Sequence, residues 1–223
     1  MTDGQKDLVP ASTKAETTLD IASFVGSAVP WIGGPVSNVL SGMSLGRKLG
    51  RVSEVLEGVA SDLADFKSDV SEQYVRTEEF EDLLEQTLRR AGEERSEEKR
   101  RMYRAFLSGA IESPGEPYDE QIRMLRTFEE LQPDHLRLLK ALSKRPDREP
   151  GMIGSPIQTL RERLPEFDNA RVEELVAQSN TMRVTKLGTL QVMMTGRGAA
   201  DLRSAITEYG QRLLNYISEP SES

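Results

Sequence analysis

The chain has no cysteine and a single histidine among its 223 residues, which excludes disulfide bonds, thiolate nucleophiles and cysteine-based metal sites. Aromatic residues are scarce at 5% while charged residues reach 30%, a balance that suits a mostly helical protein and disfavours a sandwich or barrel. Charge itself is missing from one place: no ionisable side chain occurs in the 26 residues from Ile21 to Gly46. That stretch does not read as a secretory signal, because Glu16 and Asp20 offset Lys6 and Lys14 before it and its apolar run is longer than a signal core. With no cysteine and no signal, the expected location is the cytoplasm, with the apolar stretch offering a means of associating with the inner membrane.

What the chain does have begins at that stretch. A helix is expected from Thr13 to Val29, because Pro30 and Pro35 bracket Trp31, Ile32, Gly33 and Gly34 in a segment that cannot continue a regular helix. A second helix from Val36 completes an apolar hairpin. Ala22, Gly26, Pro30, Gly34, Asn38, Gly42, Gly46 and Gly50 form one four-residue series, small except at Pro30 and Asn38, giving a stripe of the kind that lets helices approach closely, in membranes above all. Neither arm has the roughly 20 apolar residues of a spanning helix, whereas a single kinked span through both prolines has enough. Arg47, Lys48 and Arg51 follow the stretch and would hold the remainder on the cytoplasmic side. A tightly packed hairpin within a helical bundle explains the same glycines, and Trp31 suits either an interfacial anchor or a core contact.

The second helix continues into a heptad. Leu45, Leu49, Val52, Leu56, Val59, Leu63, Phe66 and Val70 alternate steps of four and three, which specifies a coiled-coil seam, closed within the chain or with another subunit. A third helix is expected over Thr77 to Ile111, with Glu93 to Arg101 as a solvated charged stretch in which only Ser96 is uncharged. Ser113 to Pro117 breaks the pattern. The division expected is therefore a leader at 1–12, a helical hairpin and coiled-coil domain at 13–112, a linker at 113–119, a second domain at 120–217 and a tail at 218–223. Net charge divides along similar lines, −9 over residues 1–120 and +1 over residues 121–223.

In the second domain, helices are expected near Tyr118 to Leu131, from Pro133 and Asp134 to Lys144, from Ser155 and Pro156 to Leu164, and from an Asp168 cap to Ser179. Met182, Val184, Leu187, Leu190, Val192 and Met194 alternate on either side of Gly188 and read as a hairpin, after which Gly198 to Ile217 closes the chain as a helix. Helices, a hairpin and a final helix in that order over about Pro133 to Ile217, with the Met193 to Gly198 run leading into the last helix, resemble a winged-helix domain. The fold class expected is thus mainly α, with a small winged-helix-like α+β domain after the apolar hairpin and coiled coil. In style, a glycine-rich apolar hairpin on a charged helical stalk is similar to bacterial membrane-perturbing effectors, including those of phage defence and toxin systems.

Catalytic chemistry finds little to work with. His135 follows Asp134 in the first turn of its helix, where a surface or capping role is expected, and no second histidine or cysteine exists to join it on a metal. Gly196, Arg197 and Gly198 lack the Lys and Ser or Thr of a phosphate cradle. The expectation is a non-enzymatic protein without catalytic residues, cofactor or metal. Its interaction residues would be Gly26, Trp31, Gly34, Gly42, Gly46 and Gly50 with the seam residues Leu45, Leu49, Val52 and Leu56. The partners that follow are a second copy of the chain, a membrane, and a protein or signal at the second domain. The alternative is a DNA-binding regulator, with Arg171, Arg183 and Lys186 as candidate contacts, although Glu173 and Glu174 share the helix that would enter the groove.

Overall fold

The computed structural model describes residues 31–42, 48–63, 69–145, 153–188, 194–195 and 201–217, together with 23, 26 and 27. The expected leader, most of the first apolar arm, Leu45, Gly46, Phe66 and the tail lie outside the described residues. The chain is mainly helical and divides into two compact units, the first reaching Ile122 and the second spanning Arg123–Ser218.

The first unit contains α1 (Gly33–Gly42), α2 (Leu49–Asp62), α3 (Asp69–Tyr74), α4 (Glu78–Glu93), α5 (Glu97–Glu112) and the start of α6 (Tyr118–Glu130). The heptad of α2 is closed within the chain: Val52, Leu56, Val59 and Leu63 are buried and α2 packs against both α4 and α5. Val55 and Ala60 are buried as well, so the apolar face is broader than a two-position seam and is shared between two neighbours.

The single helix expected over Thr77 to Ile111 is two helices. Thr77 caps α4, its hydroxyl accepting from Phe80 N at 3.2 Å, and Glu78, Glu79 and Glu81 follow in the first turn, where the helix dipole favours them. The break falls in the charged stretch because that stretch supplies both ends. Glu94 turns extended, at φ −71° and ψ 130°, and Ser96 caps α5 by accepting from Lys99 N. Side chains from elsewhere hold the turn: Arg51 donates to the carbonyls of Gly92 and Glu93 at 3.1 and 3.3 Å, and Arg100 donates to Arg95 O at 3.0 Å. Nor is the stretch wholly solvated, since Lys99 is 5% exposed and burial lowers its pKa. The Ser113 to Pro117 turn does not end the first unit; Tyr118 beyond it donates to Asp82 of α4, and Tyr74 donates to the buried Gln121 at 2.7 Å.

The second unit comprises the rest of α6, α7 (Pro133–Ser143), β1 (Ile153–Gly154), α8 (Pro156–Arg163), α9 (Asn169–Thr181), β2 (Met194–Thr195), a 3-10 turn (Arg203–Ala205) and α10 (Glu208–Ile217). The caps read from the sequence form: Ser155 accepts from Gln158 N and Asp168 from Arg171 N. Leu138, Leu142, Leu160, Val172, Leu175 and Ile206 are among the residues of one core beneath α7, α8 and α9. β1 pairs antiparallel with β2, Ile153 opposite Thr195 and Gly154 opposite Met194. Of the expected hairpin, residues 189–193 lie outside the description, while Thr185 forms a bridge with Ile206. The last helix begins at Glu208 rather than Gly198, after the 3-10 turn, and its Tyr209 places its ring 4.4 Å from the Arg123 guanidinium and donates to Arg123 O at 3.2 Å.

Candidate functional site

In the first unit the apolar arm is the candidate. Ile32, Val36, Val39 and Leu40 are buried, and α1 lies against α4. Its opposite side carries Gly34, Asn38 and Ser41, all exposed, and Asn38 donates to Glu81 at 3.2 Å. Gly26 and Gly33 come close to one another: a methyl group at Gly26 would stand 3.5 Å from Gly33 Cα. Trp31 is half-buried.

Among the described glycines of the four-residue series, Gly34 and Gly50 do not mark close approaches. A side chain at Gly34 or Gly50 would meet nothing within 4 Å, Gly42 ends α1 and Gly46 is outside the description. Close approach occurs instead at Gly92, where a Cβ would lie 3.2 Å from Lys48 Cβ and from Val52 Cγ2, and at Gly58, where it would strike the Arg104 side chain. Arg104 crosses Gly58 to form a two-pronged ion pair with Asp62, whose other neighbour is the Ser108 hydroxyl, donating at 3.0 Å. One turn earlier Arg100 pairs with Glu54 at 2.8 Å. Glu54, Gly58 and Asp62 on α2 thus match Arg100, Arg104 and Ser108 on α5 in steps of four. The signal was in the sequence as two four-residue series of complementary chemistry. Of the seam residues, Val52 and Leu56 are buried and Leu49 is half-buried.

In the second unit the three candidate cations separate. Arg171 is engaged within the fold, donating to Asp134 Oδ2 at 2.7 Å and Glu174 Oε2 at 2.8 Å, and those carboxylates raise its pKa. Arg183 and Lys186 are exposed and neither makes an ion pair among the described residues. Arg183 has φ 60°, left-handed backbone, as it ends α9 with its amide on Asn180 O and the next amide, of Val184, on Ser179 O. The segment after it is fixed from two sides. The Asn180 side chain accepts from Leu187 N at 3.1 Å and donates to Leu187 O at 2.8 Å, in the manner of a neighbouring strand. Thr207 accepts from Gly210 N and donates to Arg183 O, and any side chain at Gly210 would collide with the Val184 carbonyl. Asn180, Thr207 and Gly210 carried no periodic signal that would have revealed this.

The single histidine caps a helix and is buried. His135 is 3% exposed; its Nδ1 accepts from the Gln132 amide at 2.9 Å, so the ring proton lies on Nε2 and is donated to the Gln178 amide oxygen at 2.8 Å. Gln178 in turn donates to Glu174 Oε1 at 3.1 Å, joining the ring to the Arg171 and Asp134 pairs. Beside it opens a cleft of about 370 Å³ lined by Glu130, Gln132, His135, Gln178, Thr181 and Met182. Among the described residues, no three His, Asp or Glu side chains gather into a metal site. Comparison with protein-family models, with curated proteins and with solved structures finds no match for this chain.

Proposed function

We propose that this chain is a non-enzymatic docking protein whose first unit stores an uncharged, glycine-rich apolar segment for contact with a membrane or a second copy of the chain, and whose second unit is the partner- or signal-sensing module. The observation that carries this reading is α1, a ten-residue helix without a charge that, with Ile32 just before it, hides Val36, Val39 and Leu40 and leaves only small or amide side chains outside. A helix this length rises about 15 Å, half of a bilayer's apolar core, and no helix among the described residues is long and apolar enough to cross a membrane. The engagement proposed for α1 is therefore interfacial. For the second unit, the order helix, strand, two helices, returning strand and closing helix supports the winged-helix-like reading. A membrane-perturbing effector is the class of protein that combines these parts.

The test is flotation with anionic liposomes of the wild type and of Gly34→Glu/Ser41→Glu, which adds charge on the exposed side of α1 where nothing lies within 4 Å of Gly34. Flotation of the wild type alone, with the variant folded by circular dichroism, is the expected result. A wild type that stays at the bottom, or a variant that floats equally well, defeats the membrane reading.

Arg183 and Lys186, exposed on one short segment, favour the alternative of duplex DNA binding. It is the weaker reading, because Arg171 is committed to Asp134 and Glu174 while Glu173 and Glu174 are exposed on α9. Its signature is salt-dependent binding weakened by Arg183→Ala/Lys186→Ala.

A further inference from the structure

We infer that His135 is an acid-sensitive latch that closes the first turn of α7 on Gln132 when neutral and releases it when protonated. The inference rests on what each ring nitrogen does. Nδ1 is an acceptor, taking the Gln132 amide proton at 2.9 Å, and Nε2 is a donor to Gln178 at 2.8 Å. An imidazolium has two donors and no acceptor, so a proton arriving at Nδ1 faces the Gln132 N–H directly. Turning the ring over does not avoid this, since it sets Cδ2–H, which is no acceptor, against the Gln132 N–H. Gln132 is exposed, but the ring is only 3% exposed, and a buried Nδ1–H left without an acceptor is expensive to keep. The relief open to the fold is to open the first turn of α7 at Gln132, while the Nε2 contact to Gln178 is kept and favours the cation.

The charges around the ring do not remove the conflict. Asp134, on the same turn, favours the cation, but its carboxylate is already shared between Arg137 at 3.1 Å and Arg171 at 2.7 Å. Arg171, from α9, disfavours it, and Glu174, also from α9, accepts from Arg171 and Gln178. Glu130, at the end of α6, shares the adjoining cleft. Burial outweighs the favourable neighbours and lowers the His135 pKa. Protons are therefore taken up on opening, in the range from the ordinary histidine value of 6.5 down to the folded value. The same opening frees the Gln132 amide at the edge of the cleft.

The experiment is an NMR titration of the full chain, following the His135 ring and hydrogen exchange at the Gln132 amide, beside His135→Gln. A glutamine at this position can accept from Gln132 N–H and donate to Gln178 without titrating, which preserves both contacts. In the wild type, Gln132 protection, corrected for intrinsic exchange, is expected to fall as pH drops below 6.5, by up to tenfold per pH unit for a single proton. In His135→Gln it should stay flat over the same range. Equal losses in both proteins, or a protonated His135 with Gln132 still protected, would overturn the latch. If His135→Gln fails to fold, Gln178→Leu serves: it removes only the Nε2 partner, and a wild-type-like pH dependence of Gln132 protection is then expected because the Nδ1 conflict persists.

Discussion

Single residues on the α2–α5 face carry the sharpest expectations. Asp62 keeps 9% of its side chain exposed, so Arg104→Ala strands a carboxylate; the loss should be about 2 kcal/mol in urea unfolding, below the ~3–5 of an enclosed pair because Arg104 is 37% exposed. Nearby Glu112 has its pKa raised, by burial first and by Asp62 second. A carboxyl group whose folded pKa exceeds its unfolded value costs stability as pH rises through that interval, so Glu112→Gln should raise Tm at pH 7 and have little effect at pH 3. Arg183, with φ 60° at the end of α9, should gain about 0.5 kcal/mol on change to glycine, since relief of left-handed strain exceeds the added freedom of the unfolded chain. These residues were only partly visible beforehand. His135 was recognisable as a helix-start residue from its place after Pro133 and Asp134, yet its Nε2 partner is Gln178, 43 positions away, and no local pattern encodes that pairing.

At the scale of elements, local chemistry announced itself and partition did not. The caps at Ser155 and Asp168 formed as their spacing implied, because a cap is settled within four residues. The α4–α5 break was hidden because Glu93 to Arg101 is made of good helix formers, and what turns the chain there is Arg51 from α2 meeting the Gly92 and Glu93 carbonyls. The heptad was legible as a seam but not as one that its own chain covers. That closure has a consequence for assembly: Leu56→Ala should cost ~2–5 kcal/mol, and thermal melts at two protein concentrations should show the same drop in Tm, since no subunit contact is being removed. A drop that deepens on dilution would instead assign the seam to a neighbour.

For the molecule as a whole, the acidic first half and near-neutral second half correspond to two units with separate cores, one beneath α2, α4 and α5 and one beneath α7, α8 and α9. Calorimetry should resolve two transitions, and lowering the pH through 6.5 should shift the one that belongs to the second unit through His135. The apolar faces of the first unit, taken alone, would tolerate one helix sliding along another by a turn, since leucine and valine fit many neighbours equally. The ladder of Glu54, Gly58 and Asp62 against Arg100, Arg104 and Ser108 does not. Advance α5 by four residues and Asp62 meets Ser108 and Glu112 instead of Arg104, one carboxylate against another in a half-dry interface. The stripe thereby acts as a key cut for a single register, turning a permissive greasy surface into an alignment with one low-energy setting.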